Sequence, residues 1–117
     1  MTVDQSPPSI TIEDLASLLK TKLARTLVDV RREAAYRESK FYLPSARRGD
    51  PEQIHRWAPL LPAGPVIVYC VHGHEVSQNA ATWLIQHGYD ARYLAGGIEK
   101  WQQAGYTTIL KTEGDRP

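Results

Sequence analysis

The sequence feature that most constrains the fold is the apolar run Val66–Tyr69, which leads directly into the only cysteine of the chain, Cys70. Its β-branched residues predict a strand. A polar segment with one glycine follows at 71–77, and 78–87 has the apolar spacing of a helix. Where a strand, a short loop and a helix start meet, unpaired backbone N–H groups and the helix dipole create positive potential. The sequence therefore predicts a site at Cys70 that holds an anion or a thiolate.

Short strands and helices alternate along the rest of the chain. The predicted strands are 9–11, 26–30, 45–47, 65–69 and 91–94. The predicted helices are 12–21, 33–38, one starting at Asp50–Pro51, 78–87, and one opening at Gly96–Gly97. Thr11 and Asp50 are the expected N-caps of the first and third of these helices. Alternation of this kind predicts a parallel sheet with helices on both faces. Ligands bind such sheets at the carboxyl ends of the strands, where Arg31, Arg32, Cys70 and Gly96 all fall.

Length and composition narrow the class of protein. The chain has 117 residues, which suits one domain; we expect a flexible arm at 1–8, the domain at 9–110 and a frayed tail at 111–117. A net charge of +1 gives no indication of nucleic-acid or membrane-surface binding. No apolar run is long enough to span a bilayer, and the first residues do not have the pattern of a signal peptide. One cysteine cannot form an internal disulfide, which favours the cytoplasm.

Five segments occur in a characteristic order: Leu27–Arg31 with its Asp-x-Arg ending, Leu43–Ala46, Val68–Gly73, Gly88–Ala91 and Tyr93–Trp101. Together they resemble the single-domain rhodanese family, whose members transfer sulfur. The resemblance covers nearly the whole chain. It implies a three-layer α/β/α rhodanese-like domain with a five-stranded parallel sheet.

The resemblance also implies an activity. Cys70 would be the nucleophile that takes a sulfane sulfur from a small donor such as thiosulfate, forms a persulfide, and passes the sulfur to cyanide or a thiol. A protein thiol is a further candidate acceptor, and neither a metal nor an organic cofactor is implied. The chemistry suits the predicted loop, because the thiolate is the attacking form and backbone N–H groups can stabilise it. The alternative for Cys70 is a buried structural thiol.

The second half of the loop departs from the family pattern. Gly73 is followed by His74-Glu75-Val76-Ser77, and the paired alanines come one residue late, so the loop is expected to be one residue longer. Longer loops resemble the phosphatase and arsenate-reductase branch of this fold, which ends its loop in an anion-clamping arginine. Here that position is Val76. A sulfurtransferase is therefore favoured over an oxyanion-handling relative, and a non-catalytic binding module is the third alternative.

The remaining side chains of the predicted site each have two readings. We expect the active-site loop to consist of Val71, His72, Gly73, His74, Glu75, Val76 and Ser77. His72 and His74 either stabilise the thiolate or an anionic donor, or point to solvent; a metal site with Cys70 would need more ligands than the local sequence offers.

For the charged residues near the strand ends, we likewise weigh a role in the site against a structural role. Glu75 either opposes the thiolate or holds the loop by accepting a backbone N–H. Asp29 lies inside an apolar run and needs a partner if it is buried. We assign Asp29 and Arg31 to structural support of the site, whereas Arg32 either screens its charge or braces the sheet.

Overall fold

The computed structural model describes residues 6–112 as a five-stranded parallel sheet covered on both faces by helices. The sheet has the strand order β1-β6-β5-β2-β4. Its strands are β1 (Ser9–Ile10), β2 (Thr26–Asp29), β4 (Arg47–Arg48), β5 (Val66–Tyr69) and β6 (Ala91–Leu94). β5 lies at the centre, with β2 and β6 as its neighbours. This is the predicted three-layer α/β/α fold.

Five helices follow the strands. They are α1 (Ile12–Leu19), α2 (Glu33–Glu38), α3 (Ile54–Trp57), α4 (Glu75–Gln86) and α5 (Gly97–Gln103), with 3₁₀ turns at Pro51–Gln53 and Ala58–Leu60. The Thr11 hydroxyl accepts a hydrogen bond from the Asp14 N–H at 3.0 Å, so the predicted N-cap of α1 is confirmed. Asp50 caps the segment before α3 in the same way, through the Glu52 N–H at 2.9 Å.

The alternation of side chains along β5 divides the core into two halves. Ile67 and Tyr69 point to the face covered by α1 and α5, where Leu15 and Trp101 are buried against them. Val66 and Val68 point to the other face, which is covered by α3 and α4. All four residues of β5 are buried, as a central parallel strand requires. Residue 70 therefore faces the α4 side of the sheet.

Most predicted elements differ from the structure by one or two residues at one end, and two of them, the strand at 45–47 and the helix at 78–87, start at clearly different residues. The predicted start of the strand at 45–47 is wrong. Ser45 has a φ of 65° and lies in a turn in which the Ala46 N–H donates to the Leu43 carbonyl. A residue with left-handed backbone cannot extend a strand, so β4 begins at Arg47. Helix α4 begins at Glu75, three residues before the predicted start at 78. Its first turn is polar because it borders the cysteine loop.

An antiparallel pair of short strands was not predicted. β3 (Phe41–Tyr42) pairs with β7 (Ile109–Leu110), and beyond β7 the Lys111 N–H donates to the Lys40 carbonyl at 2.7 Å. The pair fastens the end of the described chain to the segment after α2. The rest of the predicted tail, 113–117, and residues 1–5 of the predicted arm lie outside the described residues.

Two large apolar side chains that lie on predicted helices are exposed. Leu60 is 76% exposed and Ile85 is 40% exposed. The 3₁₀ turn at Ala58–Leu60 rotates Leu60 away from the sheet while burying Ala58. Between residues 6 and 112 no helix is both long and apolar enough to cross a membrane.

Candidate active site

Cys70 follows the central strand and lies beneath the start of α4. Its side chain is only 5% exposed, and its Sγ is 3.1 Å from the Oγ of Ser77, which is fully buried in the first turn of α4. A thiol at this position donates to the hydroxyl oxygen. A thiolate instead accepts from the hydroxyl, and a hydrogen bond to a charged group is stronger than one between neutral groups. The pair therefore suits a cysteine that works as an anion.

Within the described residues, the loop engages most of its carbonyl groups, whereas its backbone N–H groups have no backbone acceptor. The carbonyl oxygens of Cys70 and Val71 accept from the N–H groups of Ile98 and Glu99, each at 3.0 Å, at the start of α5. Further along the loop, two more carbonyls, those of residues 73 and 74, accept from the side chain and backbone of Gln78. No carbonyl within residues 6–112 accepts from the backbone N–H groups of 71–77. These N–H groups belong to the loop that follows Cys70 and to the first turn of α4, and donors of this kind can bind an anion.

Glycines allow the loop to contact the β6–α5 turn backbone to backbone. Gly73 has a φ of 73°, and a Cβ there would lie 2.6 Å from both the Gly96 N and the Leu94 O. Gly97 has a φ of 64°, and a Cβ there would overlap the carbonyl oxygens of Val71 and Cys70. Side chains are thus excluded from this contact on both sides. The carbonyls of the loop are held by α5 because of this close approach.

The charged side chains of the loop pair with residues outside it. His72 Nδ1 lies 3.2 Å from Glu99 Oε2 on α5, and both side chains are about half exposed, at 52% and 49%. The His74 ring lies 5.8 Å from the His72 ring, centroid to centroid. On the other side, Glu75 Oε1 is 3.6 Å from Arg32 Nη2 at the surface. Exposed pairs of this kind contribute little to stability.

Asp29 and Arg31 are buried on the opposite face of the sheet. The Arg31 guanidinium donates to both carboxylate oxygens of Asp29, with the shortest contact at 2.6 Å. The Tyr69 hydroxyl donates to the same carboxylate at 3.0 Å and accepts from the Leu43 N–H at 3.1 Å. No hydrogen bond or ion pair joins this cluster to Cys70 anywhere in 6–112. Its contacts fix the carboxyl ends of β2 and β5, which support the loop.

Burial and charge shift the pKa values of this cluster. Burial would lower the pKa of Arg31, but the hydrogen bonds and charge of Asp29 outweigh it, and the pKa is raised above its ordinary value. The pKa of Tyr69 is raised well above its ordinary value, first by burial and then by the nearby Asp29 carboxylate. The arginine is therefore charged and the tyrosine neutral across the physiological range.

A cleft of about 260 Å³ lies beside the loop, between α4 and the segment before α3. Val76 and Trp83 of α4 line one side and Ile54 the other, with Arg32 at the loop end. Cys70 does not line it. Across residues 6–112, no group of three His, Cys, Asp or Glu side chains is arranged to hold a metal ion.

The structure brings together most of the predicted site and adds one residue. Cys70 is in contact with Ser77 at the far end of the loop, whereas Asp29 and Arg31 lie on the other side of the sheet. Glu99 was not predicted, since it lies 27 positions after His72 and the two meet only through the β5–β6 pairing. The Gly96–Gly97 dipeptide was the one available signal, because it marks a close backbone contact.

Comparisons with known proteins agree with this geometry. A family model described as rhodanese-like domain matches residues 11–104. A rhodanese-related protein from Thermoplasma volcanium superposes with a TM-score of 0.77 at 26% identity, covering 89% of this chain and 99% of that one.

Two further solved structures are below 25% identity and therefore show the fold alone. A thiosulfate sulfurtransferase from Pseudomonas aeruginosa has a TM-score of 0.76 at 22% identity, over 92% of this chain and 20% of that one. A protein of unknown function from Rhodopseudomonas palustris, described as a possible tyrosine phosphatase, has a TM-score of 0.78 at 19% identity, over 88% and 85%.

Proposed function

Since the chain belongs to the rhodanese-like domain family, we propose that it is a sulfurtransferase that carries a sulfane sulfur on Cys70. The observation that carries the proposal is the position of Cys70 within a loop whose N–H groups have no acceptor in residues 6–112. The thiolate carries its negative charge on Sγ of Cys70, and the persulfide carries it on the sulfur bonded to Sγ. The same donors can stabilise both, so the intermediate needs no rearrangement of the loop.

The first half-reaction loads sulfur onto the protein. The Cys70 thiolate attacks the outer sulfur of thiosulfate, a new S–S bond forms, and the bond to the sulfite group breaks. Sulfite leaves with the electron pair of that bond, and the negative charge remains on the outer sulfur of Cys70–S–S⁻. The hydroxyl of Ser77, 3.1 Å from Sγ, is placed to donate to the attacking thiolate.

The second half-reaction returns the cysteine to its starting state. A nucleophilic acceptor attacks the outer sulfur, and the Cys70–sulfur bond breaks with its electron pair on Sγ. Cyanide yields thiocyanate in this step, and a small or protein thiol yields a persulfide. We further propose that the protein works in the cytoplasm, where a lone cysteine stays reduced.

An oxyanion-handling activity is the second candidate function, because one observation favours it. Five residues separate Cys70 from Val76, and the hydroxyl at the next position, Ser77, contacts the sulfur. Room for a larger anion follows from the longer loop, and the R. palustris neighbour is described as a possible phosphatase. Against this candidate, the loop ends in Val76 instead of a cation, and Arg32 meets the loop at Glu75. A doubly charged tetrahedral anion would lack a bidentate partner within the loop.

Intact mass spectrometry after incubation with thiosulfate tests the proposal. We expect wild type to gain the mass of one sulfur, to lose it when cyanide is added, and to release thiocyanate in equal amount. Cys70→Ser should gain nothing. The cyanide step is needed because two added oxygen atoms have nearly the same mass and are not removed.

The same preparation separates the alternatives. If thiosulfate and other sulfane donors leave wild type unchanged, while an aryl phosphate or arsenate is turned over with dependence on Cys70, the oxyanion candidate replaces the sulfurtransferase. If neither class reacts and Cys70→Ser binds anions as wild type does, the loop is a binding module.

A further inference from the structure

We infer that His72, held by Glu99, is the general base that takes the proton from an incoming thiol acceptor, so that thiols are the acceptor class for which this site is built. The inference rests on the proposed sulfur transfer, and it assigns the second half-reaction a residue that the first does not need.

The position of His72 is set by backbone as well as by side chains. Its Nδ1 is 3.2 Å from Glu99 Oε2, and the Glu99 N–H donates to the carbonyl of Val71, the residue before His72, at 3.0 Å. Glu99 therefore binds the loop twice, once through its backbone and once through its carboxylate. An imidazole held in this way has fewer orientations available than one on a free loop, which is the condition for a positioned base.

The carboxylate also selects the tautomer. When Nδ1 carries the proton and donates it to Glu99, the lone pair of a neutral imidazole is on Nε2. The His72 side chain is 52% exposed, so the imidazole is open to solvent. His74, whose ring is 5.8 Å away, has no carboxylate within ion-pair distance in the described residues.

A thiol acceptor needs such a group, whereas some other acceptors do not. An ordinary thiol has a pKa near 8.5, so at neutral pH most of it is protonated and unreactive. Ionised sulfite carries its attacking lone pair already. In the proposed step, Nε2 removes the proton from R–SH, and the resulting R–S⁻ attacks the outer sulfur of Cys70–S–S⁻. The Cys70–sulfur bond breaks with its electron pair on Sγ, R–S–S⁻ leaves, and the imidazolium returns its proton to water.

The charge balance of the step gives the histidine a second effect. A thiolate approaching a persulfide brings two negative charges together, and Glu75 and Glu99 add negative charge at the surface of the loop. Proton transfer to His72 creates a positive charge at the same moment as the thiolate, so no net charge is added. Free thiolate arriving from solution would not have this compensation.

The test measures sulfur transfer from preloaded protein to two acceptors at neutral pH. Wild type, His72→Gln, Glu99→Gln and the control His55→Gln are each loaded with thiosulfate, desalted and checked for bound sulfur by intact mass. Loss of the sulfur is then timed with 2-mercaptoethanol and with sulfite. His55 is an exposed histidine on α3, outside the loop, so it controls for the removal of an imidazole.

We expect His72→Gln to slow transfer to the thiol by about tenfold to a hundredfold and to leave transfer to sulfite within about twofold of wild type. Glu99→Gln should slow the thiol reaction less, because the base remains while its orientation is lost. The defect of His72→Gln should shrink as the pH is raised past the pKa of the thiol, since the acceptor then ionises without help. His55→Gln should behave as wild type with both acceptors.

Three results would overturn the inference while leaving sulfur transfer intact. If His72→Gln slows sulfur transfer equally to the thiol and to sulfite, His72 binds anions or supports the structure and is not a base. Unchanged thiol transfer in both His72→Gln and Glu99→Gln would exclude a base at this position. A thiol defect that stays constant across the pH range would exclude proton removal as its cause. Failure of wild type to load any sulfur is a separate outcome, and it counts against the proposed function itself.

Discussion

Replacing Gly97 by alanine tests the contact that joins the cysteine loop to α5. The residue has a φ of 64°, and its added Cβ would lie 2.5 Å from the Cys70 carbonyl oxygen and overlap the Val71 oxygen. Ordinary contact begins at 3.4 Å, so the Cys70 carbonyl must retreat by about 0.9 Å and the Val71 carbonyl, which is closer, by more. That retreat stretches the hydrogen bonds from the Ile98 and Glu99 N–H groups to these same carbonyls, both now 3.0 Å.

The expected cost has two parts. Left-handed backbone costs an alanine about 1 kcal/mol. Each of the two hydrogen bonds, once broken within packed backbone, costs about 1–1.5 kcal/mol. Together they give about 3–4 kcal/mol, which is a large part of the stability of a small domain. With a urea m-value of about 2 kcal/mol/M, the unfolding midpoint should fall by about 1.5–2 M.

Gly88→Ala is the matched control. Gly88 has a φ of 90°, and a Cβ there meets nothing within 4 Å, so only the backbone term of about 1 kcal/mol remains. Urea unfolding followed by tryptophan fluorescence measures both variants, and thiosulfate loading followed by mass measures Cys70. We expect Gly97→Ala to lose loading under conditions in which it is still folded, because the loop has moved, whereas Gly88→Ala should load as wild type does.

The reasoning fails if Gly97→Ala is no more destabilising than Gly88→Ala. That result would mean that the loop and α5 can separate at no cost, so the carbonyls of the loop are not held by the helix. A stability loss of the expected size with normal loading would be informative in a different way. It would show that the free N–H groups of the loop do not depend on how its carbonyls are held.

Three further changes test the support of the site and the capping of α1. Asp29→Asn should destabilise the fold by about 3–5 kcal/mol in urea unfolding, because it leaves the Arg31 guanidinium buried without its charge partner; full stability would contradict the assigned bracing role. The pKa of Tyr69 is raised in the folded state, so its contribution is complete below pH 10 and lost as the pH rises, with a slope of up to about 1.4 kcal/mol per pH unit. Tyr69→Phe should be less stable at neutral pH and should show a shallower alkaline decline, and an unchanged slope above pH 10 would argue against the raised pKa. Thr11→Ala should cost about 1 kcal/mol by removing the N-cap, whereas Ser17→Ala on the exposed side of the same helix should be neutral or slightly stabilising in the same assay.

Local patterns in the sequence were sufficient for the elements whose hydrogen bonds are local. The helix at 33–38 was predicted with the bounds it has, and Thr11 and Asp50 were recognised as caps because their partners lie two or three residues away. The position of Cys70 at the end of a buried strand follows from a four-residue apolar run. These features depend on contacts within one turn or one strand.

Features that depend on distant contacts were missed or misplaced. The β3–β7 pair joins segments almost seventy positions apart, and each strand has only two residues, too few for a periodic signal. Helix α4 was predicted to start too late because its first turn is polar; the structure shows that this turn faces the loop, with Ser77 on Cys70. The partner of His72 could not be read locally either, because Glu99 reaches it across β6.

In the described part of the chain, most carbonyl groups of the loop backbone are hydrogen-bonded and its N–H groups are not, and this difference decides which changes can alter the site. The carbonyl groups of residues 70, 71, 73 and 74 are engaged by α5 and Gln78, and within residues 6–112 the seven N–H groups of 71–77 have no backbone acceptor. Affinity for a negatively charged sulfur would then come from backbone N–H groups, and every residue except proline has one. Exchanging side chains at 71, 74 or 76 should change which molecules approach without removing the anion site. Semisynthetic replacement of single amides by esters at 75–77 would instead reduce sulfur retention one donor at a time, in a chain whose side chains are all unchanged.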